Sequence, residues 1–361
     1  MPPLNLDQFI SKVRFNCDVT DARHAGMYSV CGLVMRLRDL YKWEHRIPPW
    51  QEDDSDKVLA WIGDKETHWE ALMTAEFQGV PMGGKIFDAF DTAGVNHLVN
   101  PMHLFYGAGY AHSLKPTFFL ADIDDDLSID GRSVRVLGRE HARDLLTLPA
   151  FTQDGQVVLR TEAGRMYLWD QILYLANTGR RAFEFAIRKC GLEDSDPKTI
   201  RHHFDRVWKV QKSLYIRHEV GELEETVFDR DIWQQMLAAY PHTAVELFVR
   251  TLKDLLADTG DKGTLPDLIR HRNAAGLGLY MAFGNGITRT LTGPLACAFD
   301  DFMVRADWDR IAEASQALRQ AIKTRTRQVM AIFAEGDHRQ DLPWARQAIE
   351  EEMRQAGLIR K

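Results

Sequence analysis

Pro116-Thr-Phe-Phe-Leu-Ala-Asp-Ile123 decides the fold class, because it is a compact run of the β type in a chain whose longer patterns are helical. Outward from it, Asp130-Gly131 and Asp154-Gly155 are turn dipeptides flanked by strand-like sequence, 133–137 after the first and 156–160 after the second. With 104–111 they predict a small, mainly antiparallel sheet of four or five strands within about 104–160. A short helix over 140–146 is expected to interrupt it.

Before the sheet, residues 21–44 read as one long helix. Thr20 offers an N-cap, and Met27, Val30, Cys31, Val34, Leu37 and Tyr41 recur at three- and four-residue steps. Leu33 and Leu40 widen that stripe, so the helix is expected to be buried on more than one face. Pro48-Pro49 ends it, and a second helical stretch covers 57–77. After the sheet the pattern is helical over 165–177, 180–189, 197–226, 231–239, 243–257, 266–291, 308–333 and 341–357. The fold class expected is α+β and helix-dominated: an N-terminal α+β domain over 1–160, and an all-helical C-terminal domain over 161–361.

The 361 residues carry 45 Lys plus Arg against 52 Asp plus Glu, a net charge of −7 that disfavours bulk nucleic-acid binding. Four cysteines stand far apart at 17, 31, 190 and 297 without a CxxC pair, which fits a reducing cytosol rather than a disulfide framework. No apolar run is long or pure enough to cross a bilayer, and the first ten residues lack the features of a signal peptide. A cytoplasmic protein is expected.

Several motifs imitate functional sites. Gly79 to Lys85 has the spacing of a phosphate-binding loop, but Ile86 stands where the metal-holding hydroxyl belongs, and Pro81 lies inside it. His218 and Glu222, four residues apart, would share a helix face as half of a metal site, and His242 with Glu246 repeats the spacing. With 13 histidines and 52 acids, about two such pairs arise by chance, and two are present. The stretch 198–217 is a basic amphipathic helix, with Lys209 and Lys212 among the cations that could meet an anionic partner.

The densest chemistry lies between His97 and Lys115. There Tyr106, Tyr110, His112 and Lys115 surround Gly107-Ala-Gly109, where the backbone can approach a ligand closely. His112 as acid/base, with Tyr110 and Lys115 as polarising groups, is one arrangement; a metal on His97, His103 and His112 is another. Arg36 and Glu44 are charges on the long helix, where burial demands partners or a polar pocket, and a local pairing of Arg36 with Asp39 or Glu44 is expected.

Cys31-Gly-Leu-Val-Met-Arg-Leu-Arg-Asp-Leu-Tyr-Lys-Trp-Glu44, Tyr106-Gly-Ala-Gly-Tyr110, 114–122 and Ala275-Gly-Leu-Gly-Leu-Tyr280 are familiar together. In them the chain resembles an uncharacterised two-domain family of bacterial proteins, with N- and C-terminal domains of unknown function. The resemblance implies a division near residue 160 and carries no activity, cofactor or site residue.

Two function classes follow. One is a small-molecule enzyme or ligand-binding protein with a His/Tyr/Lys site at the seam of sheet and helices, with Arg36, Glu44 and Tyr106 as further binding candidates. The other is a non-enzymatic interaction protein that uses the helix 198–217 or the Trp-rich region from Trp43 to Trp69.

Overall fold

The strand that begins at Pro116 is the second of a five-stranded sheet in the computed structural model of the chain, which describes residues 5–111, 114–284 and 286–359. The chain divides into two units, Met1–Asp170 and Gln171–Lys361. The first contains α1 (Leu6–His24), α2 (Val30–Glu44), α3 (Ser55–Glu70), a hairpin of β1 (Val80–Met82) and β2 (Lys85–Phe87), and α4 (Thr92–Val99). The sheet follows as β3 (Leu104–Tyr110), β4 (Pro116–Ile129), β5 (Arg132–Arg143), β6 (Ala150–Gln153) and β7 (Gln156–Arg160), and α5 (Thr161–Leu173) succeeds it.

Strand order is β3-β4-β5-β7-β6, antiparallel throughout except for the β5–β7 pair. Side chains alternate between two cores, as the pleat requires. Tyr106, Phe118 and Leu120 pack with Phe9, Val13 and Cys17 of α1 and with Val95 and Val99 of α4. Phe105, Phe119, Ala121, Leu137 and Val158 form the other core. The Gln153 amide joins the two edge strands, donating to the Tyr106 carbonyl (3.1 Å) and accepting from the Ala108 N–H (3.2 Å), so the sheet curls back on itself. Gly107 is required on β3: a Cβ there would lie 1.9 Å from the Phe119 ring.

Two expectations are corrected here. The stretch 21–44 is two helices, separated by a 3₁₀ turn at Ala25–Met27 and restarted by Ser29, whose Oγ accepts from the Gly32 N–H (3.2 Å). The apolar recurrence runs through the break without registering it, and Val30 and Val34 on α2 are 80% and 51% exposed. Residues 140–146 contribute to β5 up to Arg143, because Glu140 is held across the sheet by Arg160, Nε to Oε1 2.7 Å. The phosphate-loop imitation is the β1–β2 hairpin, turned by Gly83 and Gly84 at φ 56° and 81°. Of the tryptophans between 43 and 69, Trp69 is buried in a core and Trp43 and Trp61 pack against the same cluster, while Trp50 meets Trp169 edge-on.

In the second unit the helices are α6 (Arg180–Lys189), α7 (Pro197–His202), α8 (Phe204–Glu224), α9 (Arg230–Ala239), α10 (Ala244–Thr259) and α11 (Thr264–Arg270). They continue as α12 (Ala274–Phe283), α13 (Gly286–Leu291), α14 (Gly293–Arg305), α15 (Trp308–His338) and α16 (Leu342–Gln355). No strand occurs among its described residues. The helix expected over 197–226 is broken at His203, and 266–291 is three helices. Gly293-Pro294 opens α14, with the proline in the first turn where its missing N–H costs nothing. No helix among the described residues is long and apolar enough to cross a membrane.

Candidate functional site

The residues expected to form an N-terminal site stand in different environments. Tyr110 is 64% exposed, its ring stacked on Phe90 at 5.0 Å. Lys115 is buried, with Nζ 3.0 Å from Asp21 Oδ1 and 3.9 Å from Asp144 Oδ2. Burial opposes the ammonium, but the Asp144 and Asp21 charges outweigh it and hold Lys115 above its ordinary range. Burial, with Asp144 beside it, pushes the Asp21 carboxyl up to about 7 against the pull of Lys115. This is an internal ion cluster that joins α1 to the strand ends. His112 lies outside the described residues.

Tyr106 is structural: its hydroxyl donates to the Ala89 carbonyl (2.6 Å) and its N–H to Asn96 Oδ1 (2.8 Å). His97 and His103 are exposed, His103 at the left-handed turn that precedes β3. Arg36 stacks over the Tyr28 ring at 4.5 Å. Asp39 instead pairs with Arg38 (3.0 Å) and Glu44 with Lys65 (3.6 Å), so the local pairing expected for Arg36 gives way to a ring contact. On α8, Lys209 is exposed and Lys212 half-buried, while Arg217 of the same basic stretch is held by Asp267 at 2.9 Å.

The two His–Glu pairs, alike in sequence, differ in structure. Glu246 accepts from the His242 backbone N–H (2.8 Å) and from Arg250 (3.0 Å), so it secures the start of α10 beside its cap Thr243. His218 instead stands at a cavity of about 630 Å³ inside the helical unit, with Glu222 one turn along α8 from it. Lining it are His218 and Gln211 of α8, Asp254 and Asp258 of α10, and Tyr280 of α12.

The imidazole is fixed first. His218 Nδ1 donates to Asp258 Oδ1 at 2.9 Å, and the same oxygen accepts from Thr264 Oγ1 at 2.7 Å. That leaves Nε2 toward Glu222, with Oε1 3.9 Å away. One ligating atom each from His218, Glu222 and Asp254 fall within 4.8 Å of one another, the one such group of three among the described residues. Lys253 holds the other oxygen of Glu222 at 3.3 Å and stands over the Trp233 ring at 4.1 Å.

The electrostatics are those of a site with surplus negative charge. Burial opposes an imidazolium at His218, but the Asp258 charge and hydrogen bond, with Asp254 and Glu222 behind them, hold it well above its ordinary range. Burial, reinforced by Glu222 and Asp258, pushes the Asp254 carboxyl up to about 6 although His218 pulls it down. Asp254 is nonetheless open to a water-sized solvent molecule, which places it on a concave wall rather than in a packed core.

Gln211 Oε1, buried on the same cavity, has no hydrogen-bond partner among the described residues, and the Tyr280 hydroxyl sits beside Asp258, where burial first, then that charge, keeps it protonated well above its usual range. Arg289, with both Nε and Nη2 on the Gly284 carbonyl, adds a cation to the wall.

Backbone proximity permits the arrangement. A Cβ on Gly221, between His218 and Glu222, would lie 2.4 Å from the Ala257 carbonyl, so α8 meets α10 more closely there than any side chain allows. His218 and Glu222 were legible as a pair in the sequence. Asp254, Asp258, Tyr280 and Gln211 were not singled out, and the available signal was a second four-residue spacing, Asp254 to Asp258, on the helix that packs against α8.

The chain matches the N-terminal domain of a family of unknown function (DUF6866) over residues 8–160, and the C-terminal domain of the same family over residues 165–352. It belongs to that family. No curated protein and no solved structure matches it.

Proposed function

We propose that this member of the two-domain family binds one divalent cation through His218, Glu222 and Asp254, and uses it at the wall of the helical cavity on a small polar molecule. The observation that carries the proposal is the convergence of those three ligating groups, with the imidazole locked by Asp258. A histidine that donates its other N–H to a carboxylate is the usual support of a metal ligand. Three protein ligands leave coordination positions for water and substrate, as catalytic sites do and closed structural sites do not. One nitrogen and two carboxylates suit Mn²⁺, Fe²⁺ or Zn²⁺ better than a thiol-seeking ion. The cavity volume is in the range of small-molecule sites, and Gln211, Tyr280 and Arg289 supply polar contacts for a substrate. We place this activity in the cytosol, on the strength of four cysteines that form no disulfide.

Calorimetric titration of the metal-stripped full-length protein with Mn²⁺ and Zn²⁺ tests the proposal. A single site per chain is expected, weakened at least about tenfold in Glu222→Gln and in Asp254→Asn. No saturable binding, or affinity unchanged in both variants, overturns it.

A further inference from the structure

The curled sheet holds a second cavity, of about 160 Å³, at the end of β3 where β4, β6 and β7 converge. Arg160 lines it while only 2% exposed. Its Nε donates to Glu140 Oε1 (2.7 Å), its Nη1 makes a long contact with the Leu146 carbonyl (3.4 Å), and its guanidinium carbon lies 4.2 Å over the Phe119 ring. Nη2, also buried, has no hydrogen-bond partner among the described residues. Arginine cannot shed its proton, so burial in this state leaves a charged donor without an acceptor. Its ion-pair partner among the described residues is itself shared: Arg143 draws on the same Glu140 carboxylate, at 3.6 Å. Phe119 and Phe151 give the cavity apolar walls, and Gly109 faces it with nothing within 4 Å of where a Cβ would stand.

From these features we infer a binding site for a small carboxylate, held by the Arg160 guanidinium, with a compact apolar body against Phe119 and Phe151. A planar carboxylate matches the fork of a guanidinium edge. A cavity of about 150 Å³ accommodates one benzene ring, which sets the size of the body. The apolar walls favour such an acid over inorganic phosphate, which needs donors on several sides. The site is independent of the cation cluster in the helical unit.

Calorimetric titration of the full-length protein with sodium benzoate, against benzamide, phosphate and chloride, tests the inference. Saturable benzoate binding is expected, with the neutral amide and phosphate at least tenfold weaker. Gly109→Val should fill the cavity and abolish binding with an unchanged circular dichroism spectrum; Arg160→Lys should weaken it at least tenfold; Glu222→Gln should leave it unchanged. Absence of benzoate binding, equal binding of benzamide, or binding that survives Gly109→Val overturns the inference. Because Arg160 also holds a buried ion pair and its variant could fail to fold, Gly109→Val is the deciding experiment.

Discussion

A single carboxylate, Asp258, sets what His218 can do. With Asp258 accepting from Nδ1, the ring is fixed in rotation and presents Nε2 toward Glu222. Asp258→Asn keeps the size of the side chain and removes the charge. It is expected to lower cation affinity by about 10- to 100-fold without loss of helical content, the usual effect of removing a carboxylate behind a ligating histidine. Titration of the variant with Mn²⁺ checks this, and an unchanged affinity would show that the ring is held by packing alone. Asp258 was invisible to the sequence because it lies 40 residues from His218, on another helix, and no spacing along α8 announces it. The reverse held for the segment His97–Lys115. Its titratable residues crowd together along the chain, yet Tyr110 faces outward and Lys115 is sealed between two acids. Closeness in sequence is a weak guide to closeness in space when a strand sends successive side chains to opposite faces.

At the scale of elements, the crossing of α8 with α10 builds the site. Gly221 falls where the backbones meet, with the Ala257 carbonyl 2.4 Å from the position of a Cβ, and the facing Gly263 is equally crowded at 1.9 Å. Gly221→Ala therefore forces the helices apart, although alanine is the better helix former. A loss of stability of about 1–3 kcal/mol by urea unfolding is expected, the range for overpacking, together with weaker cation binding as His218 withdraws from Asp254. If the variant were as stable as the parent, the close approach would not be a constraint. The sequence showed which segments are helical better than where they stop. The breaks at Ala25–Met27 and His203 fall within unbroken apolar periodicity, which reports a buried face and not the local geometry that interrupts it. Residues 140–143 are strand, with Glu140 held by a buried arginine partner across the sheet, a tertiary contact that local preference cannot foresee.

For the whole molecule, three acids held above their ordinary range set the response to pH, Asp254 the least of them because it is open to solvent. Asp21 in the first unit is pushed up to about 7 by burial and by Asp144, and Asp170, on α5, is pushed up to about 7 by burial and by its contact with Asp39. Asp254 in the helical unit rises to about 6. An unfolded chain sheds these protons near pH 3.9, whereas the folded chain keeps them until about pH 6 to 7. The folded state thus binds more protons across that interval, and its stability falls as pH rises through it. His218 acts in the same sense: its contribution is fully present below about pH 6.5 and is lost as pH rises through its higher folded value. His24, lowered by burial, acts the other way within this interval; Asp53, held below its usual range by the Tyr41 hydroxyl, titrates below it and leaves the interval unaffected. Urea midpoints are therefore expected to decline from pH 5 to pH 7, unlike those of proteins whose acids are stabilised as ions. Combining Asp21→Asn, Asp170→Asn and Asp254→Asn should flatten that decline, since the amides need no proton. A midpoint that rises from pH 5 to pH 7 in the parent chain would mean that Lys115 and Arg38 keep these carboxylates ionised. A cation bound at the proposed site would take the place of the protons at His218 and Asp254, so Mn²⁺ should restore more stability at pH 8 than at pH 5.5 in the parent chain, and less at the same concentration in Glu222→Gln.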